Sequence, residues 1–488
     1  MAAGFPYLSA ILLTPGLGLL VILFLPRNRD DLVRWVSLVS AGVCLLLTLQ
    51  LYAAYDQTAA GLQFVERFAW APSLGIWWFL AVDGISLPLV LLTSIVFFTG
   101  VWTMWDLAHR VKEFFALMLL MVLGVYGVFM ALDLFWLFVF YDVSLFPMYP
   151  LIAIWGSTRK EYGALKLTLY LLAGSALILP GILYVYYQSG LFTFDLVQIA
   201  QAGLPPQVQS LGFLLFLFGF GVLAGLWPFH TWSPVGHVAA PTAVSMIHAG
   251  VLMKLGAYGV LRVGMYLCPQ GLVEWSPLFA LLATVGIVYG ACVGLAQTDL
   301  KYVIGYSSVS HMGLVSLGLA TGSLGGVGGA VFQMFAHGVM TALFFSSVGH
   351  IYDRTHTKLI PELGGMAKVM PRASFFFILA ALAGIGVPCL ASFWAELLVF
   401  ISGVRAYPAL GALAASGLVI SALFMLRVVQ KTFYGQRNER FSHAADMTAA
   451  MAAPRAMLAG VIILFGLAPR LALDLINTGV APLVALFR

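Results

Sequence analysis

Six titratable side chains stand inside long apolar stretches: Asp142, His248, Lys254, His311, His337 and Glu396. In such surroundings a polar group must be paired, hydrogen-bonded or put to use. Lys254 has roughly ten apolar or small residues on either side, so its stem cannot easily carry the ammonium to an interface. A lysine at the centre of a membrane helix costs about 2.5–3.5 kcal/mol on insertion scales, and ion or proton relay is the chemistry that position points to. A snorkelling lysine is the alternative. Glu396, in GIGVPCLASFWAELLVF, follows Pro388 and matches an ion site on a half-helix. Asp142, in FWLFVFYDVSLFPMYPLIAIWG, lies roughly 12 Å into its segment, where it reads as a proton acceptor at a site entrance or as an acid bonded to a neighbouring helix.

The histidines follow the same logic. An imidazole titrates near neutral pH and has two nitrogens, so it can pass a proton without moving far. His311 and His337 occupy successive apolar segments, which favours a relay over two separate structural groups. His248 precedes Lys254 by six residues, so the two do not share a helix face. His230 and His237 are expected near the membrane edge, and His350 and His356 in solvent beyond a helix end. Asp83 and Asp133 open two apolar segments, where an acid suits the helix dipole.

The elements that must position these groups are helical membrane spans. Of 488 residues, 62% are hydrophobic and 9% are charged, against about 25% charged in a soluble domain. Apolar runs are continuous rather than alternating, which excludes a β-barrel and gives an all-α polytopic membrane protein. The net charge of +5 needs no nucleic-acid partner. Cys44, Cys268, Cys292 and Cys389 are isolated, form no metal or cluster motif, and read as small packing residues. No phosphate-binding glycine loop and no haem, flavin or quinone motif is present, so no cofactor and no metal are expected in this chain. The first apolar run, Phe5 to Leu25, has no Lys or Arg before it and reads as a span rather than a cleaved leader.

Fourteen spans are predicted, at 5–26, 32–54, 78–105, 114–132, 134–154, 163–187, 208–230, 240–265, 275–297, 302–321, 327–351, 373–402, 408–433 and 455–475. The loops are too short for a soluble domain, so residues 1–488 read as one membrane domain. Pro228 and Pro388 fall inside spans 7 and 12, and proline breaks a helix. Broken helices five spans apart imply two repeats, approximately 114–265 and 275–433, of the kind transporters pair in inverted topology. Loops after odd-numbered spans carry most of the Lys and Arg, including Arg110, Lys112, Arg159, Lys160, Arg354, Lys358, Lys368 and Arg372. Those after even-numbered spans hold little beyond Arg67, Arg262 and Arg405. The positive-inside rule then places both termini on the outer face of the membrane.

Several ordered motifs between about Val82 and Gln436 carry a family resemblance: DGISLPLVLLT from Asp83, PMYPLIAIWG from Pro147, WPFHTW from Trp227, HVAAPTAVS from His237, LMKLGAYGVLR from Leu252, DLKYVIGYSSVSHMG from Asp299, YDRTHTK from Tyr352 and LGG from Leu363. Together they resemble the NuoM-type antiporter-like subunits of respiratory complex I, the NADH dehydrogenase subunit 4 family. The resemblance implies fourteen core helices, inverted five-helix repeats and broken helices 7 and 12. It implies that Asp142 takes the place of the fifth-helix glutamate and Lys254 that of the eighth-helix lysine. His311 and His337 match the central histidines, and Glu396 the twelfth-helix acid near the far exit. The implied function is proton translocation by a membrane-arm subunit of NADH:quinone oxidoreductase in the bacterial cytoplasmic (inner) membrane. NADH, FMN, iron–sulfur clusters and quinone would be handled by partner subunits, with NuoL- and NuoN-like neighbours.

Two departures from that pattern matter. The fifth-helix acid is an aspartate, and the family's lysine five residues before the proline of the PxH element is here Leu223. His248, in SMIHAG, resembles the equivalent stretch of NuoL and offers a titratable group in compensation. Three alternatives keep the same core: an Mrp-type cation/proton antiporter, a membrane-bound hydrogenase subunit, and a non-pumping scaffold. Charge placement yields a first prediction: a cysteine placed in the 353–372 loop stays unlabelled by an impermeant reagent applied to intact cells, and labelling from outside would invert the topology.

Overall fold

The computed structural model describes residues 5–487, most of them helical. Thirteen helices among the described residues are long and apolar enough to cross a membrane. The remaining span is the twelfth, which is split into Pro371–Gly384 (12a) and Ala391–Ala406 (12b), each short of a full crossing. Span 7 is likewise split, into Pro206–Ala224 (7a) and Trp232–Ala239 (7b). Both breaks fall at the prolines that the sequence marks, where a missing N–H and the ring leave the helix without a continuous ladder.

Span 8, Thr242–Met265, has every residue of its apolar window buried, as does span 11, Leu324–Thr355. These two form the axis of the bundle. Span 8 is also irregular: π-helical turns at His248–Leu252 and Val260–Met265 flank a short α-helical piece that carries Lys254. Wide turns of this kind leave a carbonyl without its usual amide partner, and they recur at functional positions. Close approach to span 7a depends on Gly256, where a side chain would run into the backbone of Ala224.

The helix ends are secured by side chains. Asp133 caps span 5 through the amides of Phe135 and Trp136, as the dipole argument expects, and also accepts from Trp77 N at 2.9 Å. Asp299 caps span 10 at Lys301 N (2.8 Å). The C-terminal carbonyls of 7b accept from two lysines: Lys301 Nζ donates to Ala240 O at 2.9 Å and Lys358 Nζ to Val238 O at 3.3 Å. Cations suit that end of a helix. Burial draws Lys358 below the ordinary lysine range and lifts Asp299 above the ordinary carboxylate range, and each charge opposes the shift of the other.

Four expectations are corrected. Residues 78–82 are not the start of span 3: strands β1 (Gln63–Ala71) and β2 (Ile76–Val82) pair antiparallel, and the helix begins at Ser86. The hairpin has a structural task, since Glu66 of β1 accepts from Leu8 N and Ser9 N at the uncapped start of span 1. Span 14 is Ala449–Leu467, and a separate helix follows at Arg470–Ala485. Arg262 is not a loop charge: it is buried in the second π turn of span 8, and its Nη2 lies 2.6 Å from Asp83. Cys292 and Cys389 are exposed, whereas Cys44 and Cys268 are packed inside.

The Arg262–Asp83 pair is closed on all sides. Arg262 Nε donates to Tyr258 Oη at 3.1 Å, and Asp83 Oδ1 accepts from the amides of Ile85 and Ser86. It therefore locks the end of span 8 to the start of span 3. Removing one partner of such a pair strands the other charge, at about 3–5 kcal/mol. Arg262→Met should sharply reduce the thermal stability of the assembled subunit, and adding Asp83→Leu should restore much of the loss. If the double variant is no better than the single, the stranded charge is not the cause.

Candidate functional site

Span 8 delivers Lys254 to the centre of the bundle, fully buried. Its ammonium donates to Ala249 O, a carbonyl of the first π turn, and lies 2.7 Å from His337 Nδ1 on span 11. The His337 ring faces that of His311 on span 10, with centroids 5.1 Å apart. His311 Nδ1 approaches Ser307 O at 2.8 Å, the preceding turn of its own helix, which leaves Nε2 directed at Glu396. Nε2 stands 3.4 Å from Glu396 Oε1, inside ion-pair range although off hydrogen-bond geometry. Four titratable groups from spans 8, 11, 10 and 12b thus form one row, with none more than 5% exposed.

Each end of the row rests on a helix irregularity. Glu396 sits on 12b, just past the break, and Gly386 in the break adopts φ +68°. A methyl group there would collide with the Glu396 carboxylate. Beside Glu396 lies a cavity of about 10 Å³, lined by His311, Ser310 and Ser421 among others, the scale of a single water molecule.

Two sequence-predicted residues stand off this row. His248 contacts neither Lys254 nor His337 by hydrogen bond; its ring packs against His237 (centroids 4.5 Å) and Trp232 (5.2 Å) of 7b, and both of its nitrogens are without partners. Asp142 is half-buried and accepts from Ser175 of span 6 at 2.8 Å. No cation lies within ion-pair range of Asp142 among the described residues, and Leu223 is fully buried in 7a.

One placement departs from the expectations, that of His350, which is buried rather than in solvent. His237 is fully buried, with Nε2 3.4 Å from Met253 Sδ, next in sequence to Lys254. His230 and His350 are also buried, whereas His356 is exposed. Gln333, one turn before His337 on span 11, lies beside Glu396 with both side-chain polar atoms buried and unpartnered. An i, i+4 spacing from His337 was the available signal for Gln333. For His237 it was the proline-marked break, which brings 7b inward.

Residues 131–423 match the family described as NADH:quinone oxidoreductase/Mrp antiporter, transmembrane region. An NAD(P)H-quinone oxidoreductase chain 4 from a Nostoc species is 37% identical over 445 residues, covering 89% of this chain and 82% of that one. The corresponding protein of a Synechococcus species is 37% identical over 484 residues, covering 96% and 91%. The chain belongs to this family, in its NuoM-like, chain 4 branch. Among solved structures, a chain of respiratory complex I from Thermus thermophilus superposes with a TM-score of 0.90 at 28% identity, over 99% of this chain and all of that one. A chain of the Mrp complex from a Dietzia species has a TM-score of 0.87 at 21% identity, over 99% and 100%, a likeness of fold alone. The spans and the breaks in 7 and 12 described above are those that the resemblance implies.

Gly386 supplies a test of the site geometry that removes no charge. Gly386→Ala should fold at a cost of roughly 1–2 kcal/mol for the left-handed backbone and should shift the carboxyl stretching band of Glu396 in infrared difference spectra. An assembled variant with an unmoved band would place Glu396 away from Gly386.

Proposed function

We propose that this chain is a proton-translocating membrane-arm subunit of an NADH:quinone oxidoreductase, and that its protons move along Lys254, His337, His311 and Glu396. The observation that carries this reading is the unbroken buried row, in a chain whose relatives are quinone oxidoreductase chains. Each neighbour in the row can exchange a proton with the next by a small rotation, and the two imidazoles serve as both donor and acceptor. The unpartnered nitrogen of His337 and the oxygens of Glu396, free of hydrogen bonds, leave room for a proton to arrive and depart.

His248 and Asp142 belong to the entry side in this reading. His248, through His237 and Met253, approaches Lys254 from 7b, and Asp142 with Ser175 lies further out on spans 5 and 6. Leu223 removes the cation that would hold Asp142 ionised, so the histidines of 7b and span 8 take over the supply. Residues 114–265 and 275–433 act as two repeats within one membrane domain: the first brings Lys254 and the second brings His311, His337 and Glu396. Both termini lie on the outer face of a bacterial cytoplasmic membrane, as the distribution of Lys and Arg supports. Electron transfer, with NADH, FMN, iron–sulfur clusters and quinone, takes place in partner subunits, and the neighbours in the membrane are of the NuoL and NuoN type.

The decisive variant is Glu396→Gln, which keeps shape and most hydrogen bonding but cannot titrate. In sealed vesicles it should leave quinone reduction measurable and lower the proton-to-electron ratio; Lys254→Met should do the same. His248→Leu and Asp142→Asn should give smaller losses. An assembled Glu396→Gln complex with the parent ratio removes the row from the mechanism and favours a scaffold.

A further inference from the structure

At the basic end of the bundle, spans 3, 11 and 14 enclose a cavity of about 770 Å³ that the proton path does not use. Deep in it lies Arg455, 4% exposed, whose guanidinium donates to the carbonyl oxygens of Ser346 (2.7 Å) and Met451. No carboxylate comes within ion-pair distance of it among the described residues. Asp353 acts on it only from beyond ion-pair distance, and a buried guanidinium whose direct contacts are carbonyl oxygens gains from an anion that joins it. His350, 5% exposed, also lines the cavity, and its Nε2 has no partner. Arg455 thus has carbonyl acceptors but no carboxylate in contact, and His350 has a free ring nitrogen.

The mouth has a different character. Arg354 adds a second guanidinium there, but Asp353 and Asp106 are exposed beside it. The two acids balance the two arginines, so the cavity is polar and charge-separated rather than simply cationic. Trp102 and Trp105 form one wall, and Trp105 packs edge-on against Trp35 at 5.1 Å. Indoles at the end of a span mark the level of lipid headgroups.

We propose that this cavity binds the headgroup of a phospholipid carrying a primary ammonium, of the phosphatidylethanolamine type. Its phosphate meets Arg455, His350 and Arg354, which supply charge-assisted hydrogen bonds. Its ammonium lies toward Asp353 and Asp106, and its glycerol and acyl chains leave past Trp102 into the bilayer. A free phosphate satisfies the inner donors but leaves the acids at the mouth unmatched, so the zwitterion fits the full lining better.

The test uses the intact purified complex. It is stripped of lipid with detergent and reloaded from phosphatidylcholine vesicles carrying either phosphatidylethanolamine or phosphatidylglycerol as the minor component. Retained lipid is then counted by native mass spectrometry. Phosphatidylethanolamine should be held preferentially, and Arg354→Glu, at an exposed position that the fold tolerates, should weaken its retention about tenfold, the equivalent of one charge-assisted contact. Asp353→Asn should shift the preference toward phosphatidylglycerol. Arg455→Gln should abolish retention if the variant assembles; if it does not, the two surface variants decide. Equal retention of both lipids, displacement by inorganic phosphate, retention unaffected by Arg354→Glu, or a segment of a neighbouring subunit found in the cavity would each overturn the proposal.

Discussion

The contact between the Lys254 ammonium and the His337 imidazole sets the terms for the rest of the bundle. A cation in a membrane interior has no water to solvate it, so each donor must find an acceptor within the protein. One acceptor is Ala249 O, made available by the π turn of span 8. Another is His337, which requires span 11 to cross span 8 closely, and Gly250 and Gly338 meet backbone to backbone at that crossing. The far end of span 8 cannot slide, because Arg262 is bonded to Asp83 at the start of span 3. The irregular turns, the glycine crossing and the buried ion pair answer one requirement, a fixed place for one charge.

The row was legible in the sequence because a charge inside an apolar run is visible in one dimension. Lys254, Glu396, His311 and His337 each interrupt about twenty residues of hydrocarbon, the length of a span, and the structure brings all four together. The contact of His237 with Met253 is not visible in one dimension, because it depends on the break at Pro228 that turns 7b back into the bundle. Gln333 carries no charge and breaks no pattern. Arg262 lies near the end of its span, where a paired buried arginine and a loop arginine look alike until Asp83, far away in sequence, comes beside it. The hairpin was hidden for a related reason: IWWFLAV runs straight into span 3 as one apolar stretch. The final helix, Arg470–Ala485, alternates apolar and polar faces and so gives no clean hydropathy signal of its own.

Asp142 shows what a missing partner does to a site. Among the described residues its side chain is hydrogen-bonded by one neutral hydroxyl, that of Ser175, and Leu223, where the resemblance expects a lysine, is buried and apolar. A hydroxyl can bond either the protonated or the ionised acid, so it sets orientation without fixing charge. The polar density instead lies around 7b, where His237, His248, Trp232 and Met253 pack together next to Lys254. The lysines that hold the carbonyls of 7b keep that half-helix, and hence His237, in register with span 8. On the 7b side of Lys254 the titratable groups are thus imidazoles, carried or packed by a clamped half-helix.

The ends of the row carry opposite potential charges, and this bears on how it can be driven. An ammonium at one end and a carboxylate at the other differ from an amine and a carboxylic acid by the transfer of one proton through the two imidazoles between them. Low dielectric penalises the charged arrangement, while mutual attraction and the polar atoms around each end support it. Two large opposing terms leave a small difference, so a charge brought near either end tips the balance. A row built from like groups would lack this property, since moving a proton along it would only exchange which end is charged and would not convert a charge-separated state into a neutral one. The combination of lysine, two histidines and glutamate thus makes the row responsive to a neighbour's charge, without requiring any large movement of the helices that hold it.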